Sequence, residues 1–127
     1  MLFRSVSDQL QSIGGVEVLV GAADGPPVGA TTVLDLVGDA LGRAAEWIAL
    51  PVARLDPDFF SLRSGVAGDV VQKLANYRLR LAVLGDIAPL TDASTALRDW
   101  VREANRGGTV WFVADLDELA GRLAGPR

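Results

Sequence analysis

Two spacings of apolar residues alternate along the chain, and together they predict its elements. Short runs at Val16–Val20 (VEVLV), Trp47–Val52 (WIALPV), Leu79–Leu84 (LRLAVL) and Thr109–Val113 (TVWFV) have the length and the β-branched or aromatic content of strands. WIALPV is apolar throughout, the mark of a strand covered on both faces in a parallel sheet. Pro51 falls near its end, where a missing ladder donor is tolerated. A β-prone run at Met1–Val6 lies ahead of Gly14-Gly15 and predicts an N-terminal hairpin with Val16–Val20.

Between these runs the spacing becomes helical. Val33, Leu36, Val37, Ala40, Leu41 and Ala44 form one stripe, opened by Thr32 with Asp35 as its capping-box partner. Val66, Val70, Leu74 and Tyr77 form the apolar face of a helix from about Gly65 to Arg78, with Asp69, Gln72, Lys73 and Asn76 opposite. Ala93, Leu97, Trp100, Val101 and Ala104 predict a third helix from about Asp92 to Asn105, stopped by Asn105-Arg106-Gly107-Gly108. Asp115 and Glu118 form a capping box for a last helix. Ala22–Val28 (AADGPPV) is a turn and connector, and Ala53–Ser64 is a loop with one helical turn at Pro57–Phe60. The order ββ-α-β-α-β-α-β-α predicts a single α/β domain over residues 1–127, with its core over about 16–123. Its mixed central sheet would have about five strands, packed with about four helices. Right-handed crossovers would place three parallel strands at the centre, and the hairpin would extend one edge.

Composition changes this picture chiefly by exclusion. The chain has no Cys, so disulfides, thiolate nucleophiles and cysteine metal sites are out. It has no His, which removes a histidine general base, a Ser-His-Asp triad and a histidine metal site. No Walker or Rossmann glycine spacing occurs. The expectation is a protein that is not an enzyme and carries no cofactor and no metal. A net charge of −4 with scattered basic residues argues against nucleic acid or an anionic membrane as partner. No apolar run approaches the roughly 18 residues of a membrane span. MLFRSVSDQLQ lacks the h-region of a signal peptide, so the expected location is the cytoplasm.

The blocks LDPDFFSLRSGVAGDVVQKLANYRLRLAVLGD and LRDWVREANRGGTVWFVADLDEL, around residues 54–80 and 97–118, resemble a bacterial family known as a domain of unknown function, DUF4180. The GPPV…LDLVG segment fits the same family more loosely. A more distant similarity is to STAS domains, the fold of anti-sigma factor antagonists. WIALPV, the following loop, Leu62-Arg63-Ser64-Gly65 and LRLAVL stand at comparable spacing to that signature. The resemblance implies a STAS-like fold and makes Ser64 the counterpart of the serine phosphorylated there, with Gly65 after it. Leu62 replaces the aspartate of that motif and Arg63 its other serine, so the fold analogy is stronger than the switch.

Three sets of residues are candidates for function. Ser64 at a helix start is most simply a cap, since its hydroxyl can accept an orphan backbone N–H. A phosphate there would instead sit at the helix's positive end, with Arg63 able to pair with it. Asp69, Gln72, Lys73 and Asn76, with Arg78 and Arg80, form either a solvated face or a docking face beside Ser64 and Gly65. Asp56 and Asp58 are carboxylates of a kind that suits Mg²⁺, although a capped loop explains them as well. Phe59-Phe60 beside them would anchor the loop in the core, and Tyr77 would be a core aromatic with a wet hydroxyl. Asp86 ends a strand at the carboxyl edge, where open α/β sheets bind ligands. The loops bearing Arg54–Ser64, Gly85–Thr91 and Asp115 should converge there, with Asn105–Gly108 at the opposite edge. The leading expectation is a non-enzymatic, STAS-like regulatory module that binds a protein partner through Arg63, Ser64, Gly65 and the polar face of the second helix. The alternative is a small-molecule or Mg²⁺-dependent site built from Asp56, Asp58, Asp86 and Asp115. Self-association through the edge strand, as a homodimer, is the third.

Overall fold

A computed structural model of the chain describes residues 8–125. Strands β1 (Gln9–Ile13), β2 (Val16–Val20), β3 (Trp47–Pro51), β4 (Arg80–Leu84) and β5 (Val110–Val113) lie side by side in chain order. β1 is antiparallel to β2, and every later neighbour is parallel. The helices are α1 (Val33–Gly42), α2 (Val66–Asn76), the short α3 (Ala88–Asp92), α4 (Thr95–Arg106) and α5 (Leu116–Ala124). The chain is thus the α/β domain that its apolar spacing predicts, with a mixed five-stranded sheet.

Alternation along the strands divides the core in two. Leu19, Ile48, Leu50, Leu81, Val83, Val110 and Phe112 face α1, α2 and α4. Val18, Trp47, Ala49, Ala82 and Val113 face α5 through Leu119 and Leu123. Successive parallel strands are added in one direction only, as right-handed crossovers on one face require. The strand order therefore contains no reversal of the kind that opens a ligand crevice in doubly wound sheets.

The hairpin is present, but its first strand is Gln9–Ile13; Met1–Val6 lies outside the described residues. Ile13 pairs directly with Val16 across Gly14-Gly15. Both glycines have positive φ, 58° and 83°, which a two-residue hairpin turn demands. A Cβ on Gly14 would also stand 2.9 Å from the Ala120 carbonyl oxygen of α5.

Four other local expectations are corrected. Thr32 does not cap α1 with its side chain: its hydroxyl accepts from the Gly29 N–H and donates to the Pro27 carbonyl, so no box forms with Asp35. Leu41 and Ala44 leave the buried stripe. Leu41 faces solvent, and Ala44 lies beyond the helix with φ 59°, closing it with a left-handed residue. The predicted third helix is two: α3 ends at Asp92, and Ser94 starts α4 by accepting the Leu97 N–H at 3.1 Å. Tyr77 is 47% exposed, because α2 ends at Asn76 and the chain turns through Arg78 at φ 60°. α4 does stop at Gly107, although with an extended φ of −91° and not a left-handed one. At α5 the Glu118 N–H donates to Asp115 as expected, while the Glu118 carboxylate returns to the Ala114 N–H.

The loop after β3 is wound into 3-10 turns at Val52–Arg54, Pro57–Phe60 and Leu62–Ser64, so the turn at Pro57–Phe60 is where the pattern places it. Arg54 in this loop is 3% exposed, the buried charged residue of the described chain. Its guanidinium meets Asp8 in a two-pronged ion pair at 2.8 and 3.1 Å. It also donates to the carbonyls of Ala22, at 2.9 Å, and Pro26. One side chain therefore ties the start of β1, the β2–α1 connector and the exit of β3. Gly25 is forced by this arrangement, since a Cβ there would lie 2.4 Å from the guanidinium carbon.

Candidate functional site

β4 ends at Leu84, and Gly85 turns the chain away from the sheet with φ 134°. The Asp86 carboxylate accepts the Ala88 N–H at 2.9 Å, and Pro89 occupies the first turn of α3. α4 then runs back along β5. Its end is fastened to the sheet by Asn105, whose amide oxygen accepts the Phe112 N–H at 2.7 Å. Side-chain capture of that N–H covers part of an otherwise open strand edge. Asn105 therefore does not lie at the far edge with Gly108, as its position before β5 suggests. The helix is antiparallel to the strand, and its last turn reaches the strand's middle.

This geometry leaves a cavity of about 640 Å³ beside the carboxyl ends of β4 and β5. Val101 and Phe112 form an apolar floor, and Ile87 and Ala88 one wall. Asp86, Thr91, Arg98 and Arg102 supply polar groups. Arg98 and Arg102 are one helical turn apart on α4 and therefore share a face. Among the described residues the ion pairs join Arg43 to Asp39, Arg54 to Asp8 and Arg106 to Glu103, and none includes Arg98 or Arg102. Arg98 touches the Thr95 hydroxyl at 3.4 Å.

Of the predicted carboxylates, Asp86 alone lines this cavity. Asp56 accepts the Asp58 N–H at 2.9 Å as the cap of its 3-10 turn. Asp58 is exposed, and its backbone carbonyl accepts the Ser64 hydroxyl at 2.7 Å. Asp115 caps α5 next to a neighbouring depression formed with Leu84, Gly85, Leu116 and Asp117. No three Asp or Glu side chains among the described residues come together closely enough to hold a metal ion.

The second predicted set sits elsewhere. Ser64 stands one residue before the cap position of α2, which Gly65 occupies with φ 82°. Its hydroxyl still accepts a helix N–H, that of Val66, at 3.2 Å. Arg63, Ser64, Gly65, Asp69, Gln72 and Asn76 are all exposed, with Gln72 and Asn76 joined side chain to side chain at 2.9 Å. Lys73 departs from this face, because its ammonium reaches across to the Ala30 carbonyl before α1. Sequence reasoning missed Arg98 and Arg102. The available signal was their i, i+4 spacing on the polar side of a helix whose apolar side was already assigned.

Residues 13–123 match the family described as Domain of unknown function (DUF4180), and the chain belongs to that family. Neither curated proteins nor solved structures give a match. Among the described residues no helix is long and apolar enough to cross a membrane.

Proposed function

We propose that this domain binds a small organic molecule in the cavity between α3, α4 and the ends of β4 and β5. One observation carries the reading: a concavity of about 640 Å³ with an apolar floor and a few convergent polar groups. Ligand sites typically have that composition and volumes of roughly 300–1,000 Å³. Asp86 belongs to it as a polar rim group. Binding without catalysis suits a chain that has neither His nor Cys, and the same composition suits a reduced cytoplasmic setting. Ala88 is exposed at the wall, so Ala88→Trp narrows the cavity without entering the core. Ligand-observed NMR screening of a fragment library should yield hits that Ala88→Trp abolishes, with the unfolding midpoint changed by less than about 3 °C. Hits that persist in the variant would locate binding elsewhere and sink the proposal.

A second reading, STAS-like regulatory binding of a protein partner, is favoured by one surface feature. Arg63, Ser64, Gly65, Asp69, Gln72 and Asn76 form a continuous exposed strip that ends at Tyr77, itself 47% exposed. Tyrosine on a polar surface is a common anchor of interfaces. Wild-type and Ser64→Asp baits compared in native lysate should differ by a specific protein lost from the Asp bait. Identical captures would remove Ser64 from any such interface.

A further inference from the structure

The polar side of the cavity has a sign. α4 presents Arg98 and Arg102 on one face at its rim, and neither is joined to a carboxylate among the described residues. The chain as a whole carries a net charge of −4, so two guanidiniums side by side without an ion-paired carboxylate run against its average. Asp86 offsets them in part, but one of its oxygens is already committed to the Ala88 N–H. Thr91 lines the same rim, and its hydroxyl makes long contacts of 3.3 and 3.4 Å to carbonyls of its own helix. A hydroxyl so loosely held is free to turn toward a bound group. Guanidinium forks match the planar or tetrahedral oxygens of a carboxylate or phosphate with paired N–H donors, which a single ammonium does not.

We infer that the cavity selects an amphipathic anion, a carboxylate or phosphate monoester whose apolar body lies on Val101, Phe112 and Ile87 and whose oxygens meet Arg98 and Arg102. The inference rests on the small-molecule reading above and adds the class of ligand. The charged head stays at the solvent-exposed rim, where desolvation is small, and the body supplies the area removed from water. Two guanidiniums on successive turns are spaced to engage one head from two sides.

Isothermal titration with octanoate, octyl phosphate and neutral octanamide tests the ligand class directly. Wild type should bind at least one of the two anions about 10- to 100-fold more tightly than octanamide. The double variant Arg98→Gln, Arg102→Gln should remove that preference, bringing the affinities for the anions down to within a few-fold of that for octanamide. These two arginines are exposed, so the variant should fold, and its circular dichroism and unfolding midpoint check this. Octanamide binding as tightly as both anions in wild type would overturn the anion inference and leave the cavity reading standing. Failure of all three probes to bind would overturn the anion inference, and fragment hits unaffected by Ala88→Trp would overturn the cavity reading as well. Preference for one anion over the other distinguishes a carboxylate from a phosphate ligand.

Discussion

Arg54→Met is expected to destabilise the domain by about 3–5 kcal/mol, the usual cost of removing one partner of a buried ion pair. For a chain of this length that corresponds to a fall of roughly 10–20 °C in unfolding midpoint. The substitution keeps an unbranched apolar stem as far as the position of Nε, so the change is confined to the guanidinium head. What it removes is the fork that joins Asp8 to the Ala22 and Pro26 carbonyls. Those acceptors stay where they are, poorly hydrated and short of donors, which is what makes the loss large. Urea unfolding gives the free energy directly, and a change below 1 kcal/mol would mean that the Asp8–Arg54 pair is dispensable to the fold.

The same pair predicts an acid dependence with a definite sign. Burial alone would push the Asp8 carboxyl up, but the Arg54 hydrogen bond, the Ala22 N–H and the charges of Arg54 and Arg43 outweigh it. Its pKa in the folded chain therefore lies below the ordinary aspartate value. A depressed carboxyl contributes stability that is complete above the unfolded value and disappears as pH falls through the folded one. In Arg54→Met, burial is opposed only by the Ala22 N–H and Arg43, so this acid-labile contribution is mostly gone. The stability gap between wild type and variant should narrow as pH drops below about 4. A gap that stays constant to pH 2 would exclude the ion pair as its source.

How much of this was legible in the sequence depends on how far apart the interacting residues lie. WIALPV, LRLAVL and TVWFV gave strands within a residue or two of those observed, because burial on both faces leaves an unbroken apolar run. β1 was harder, since Gln9–Ile13 buries Ile13 alone and is held by pairing with β2, not by a pattern of its own. The Thr32–Asp35 and Asp115–Glu118 motifs look alike in sequence, yet only the second caps its helix. Thr32 is claimed by the Gly29–Pro27 turn before it. Arg54 looked like one loop residue among many, because its partner Asp8 is 46 positions away. The cavity was half legible. Asp86 at a strand's carboxyl end pointed toward it, but the basic rim depends on α4 breaking from α3 at Ser94 and folding back along β5. No local spacing encodes that break as distinct from a longer helix.

Phe59→Ala should be the most damaging apolar truncation in the loop after β3, costing about 3–5 kcal/mol. Phe59 is fully buried, and the 3-10 turn capped by Asp56 delivers it into the core on the α2 and α4 side of the sheet. There it meets Phe60 edge-on at 5.2 Å and Trp100 at 5.8 Å, and Trp100 in turn meets Phe112 at 5.4 Å. The aromatic series runs from the β3 loop through α4 to the floor of the cavity, so the truncation has a second expected effect. Trp100 loses a neighbour that fixes its packing, and Phe112 in the floor under the proposed ligand is expected to loosen through Trp100. Phe59→Leu restores most of the volume and should cost less than about 1.5 kcal/mol. Affinity for the anionic probe should fall with the size of the void, little for Leu and several-fold for Ala, at temperatures where both variants remain folded. If Ala destabilises the fold as expected yet leaves probe affinity untouched, the Trp100–Phe112 contact does not transmit the change. The floor of the cavity would then be held by α4 and Asn105 alone.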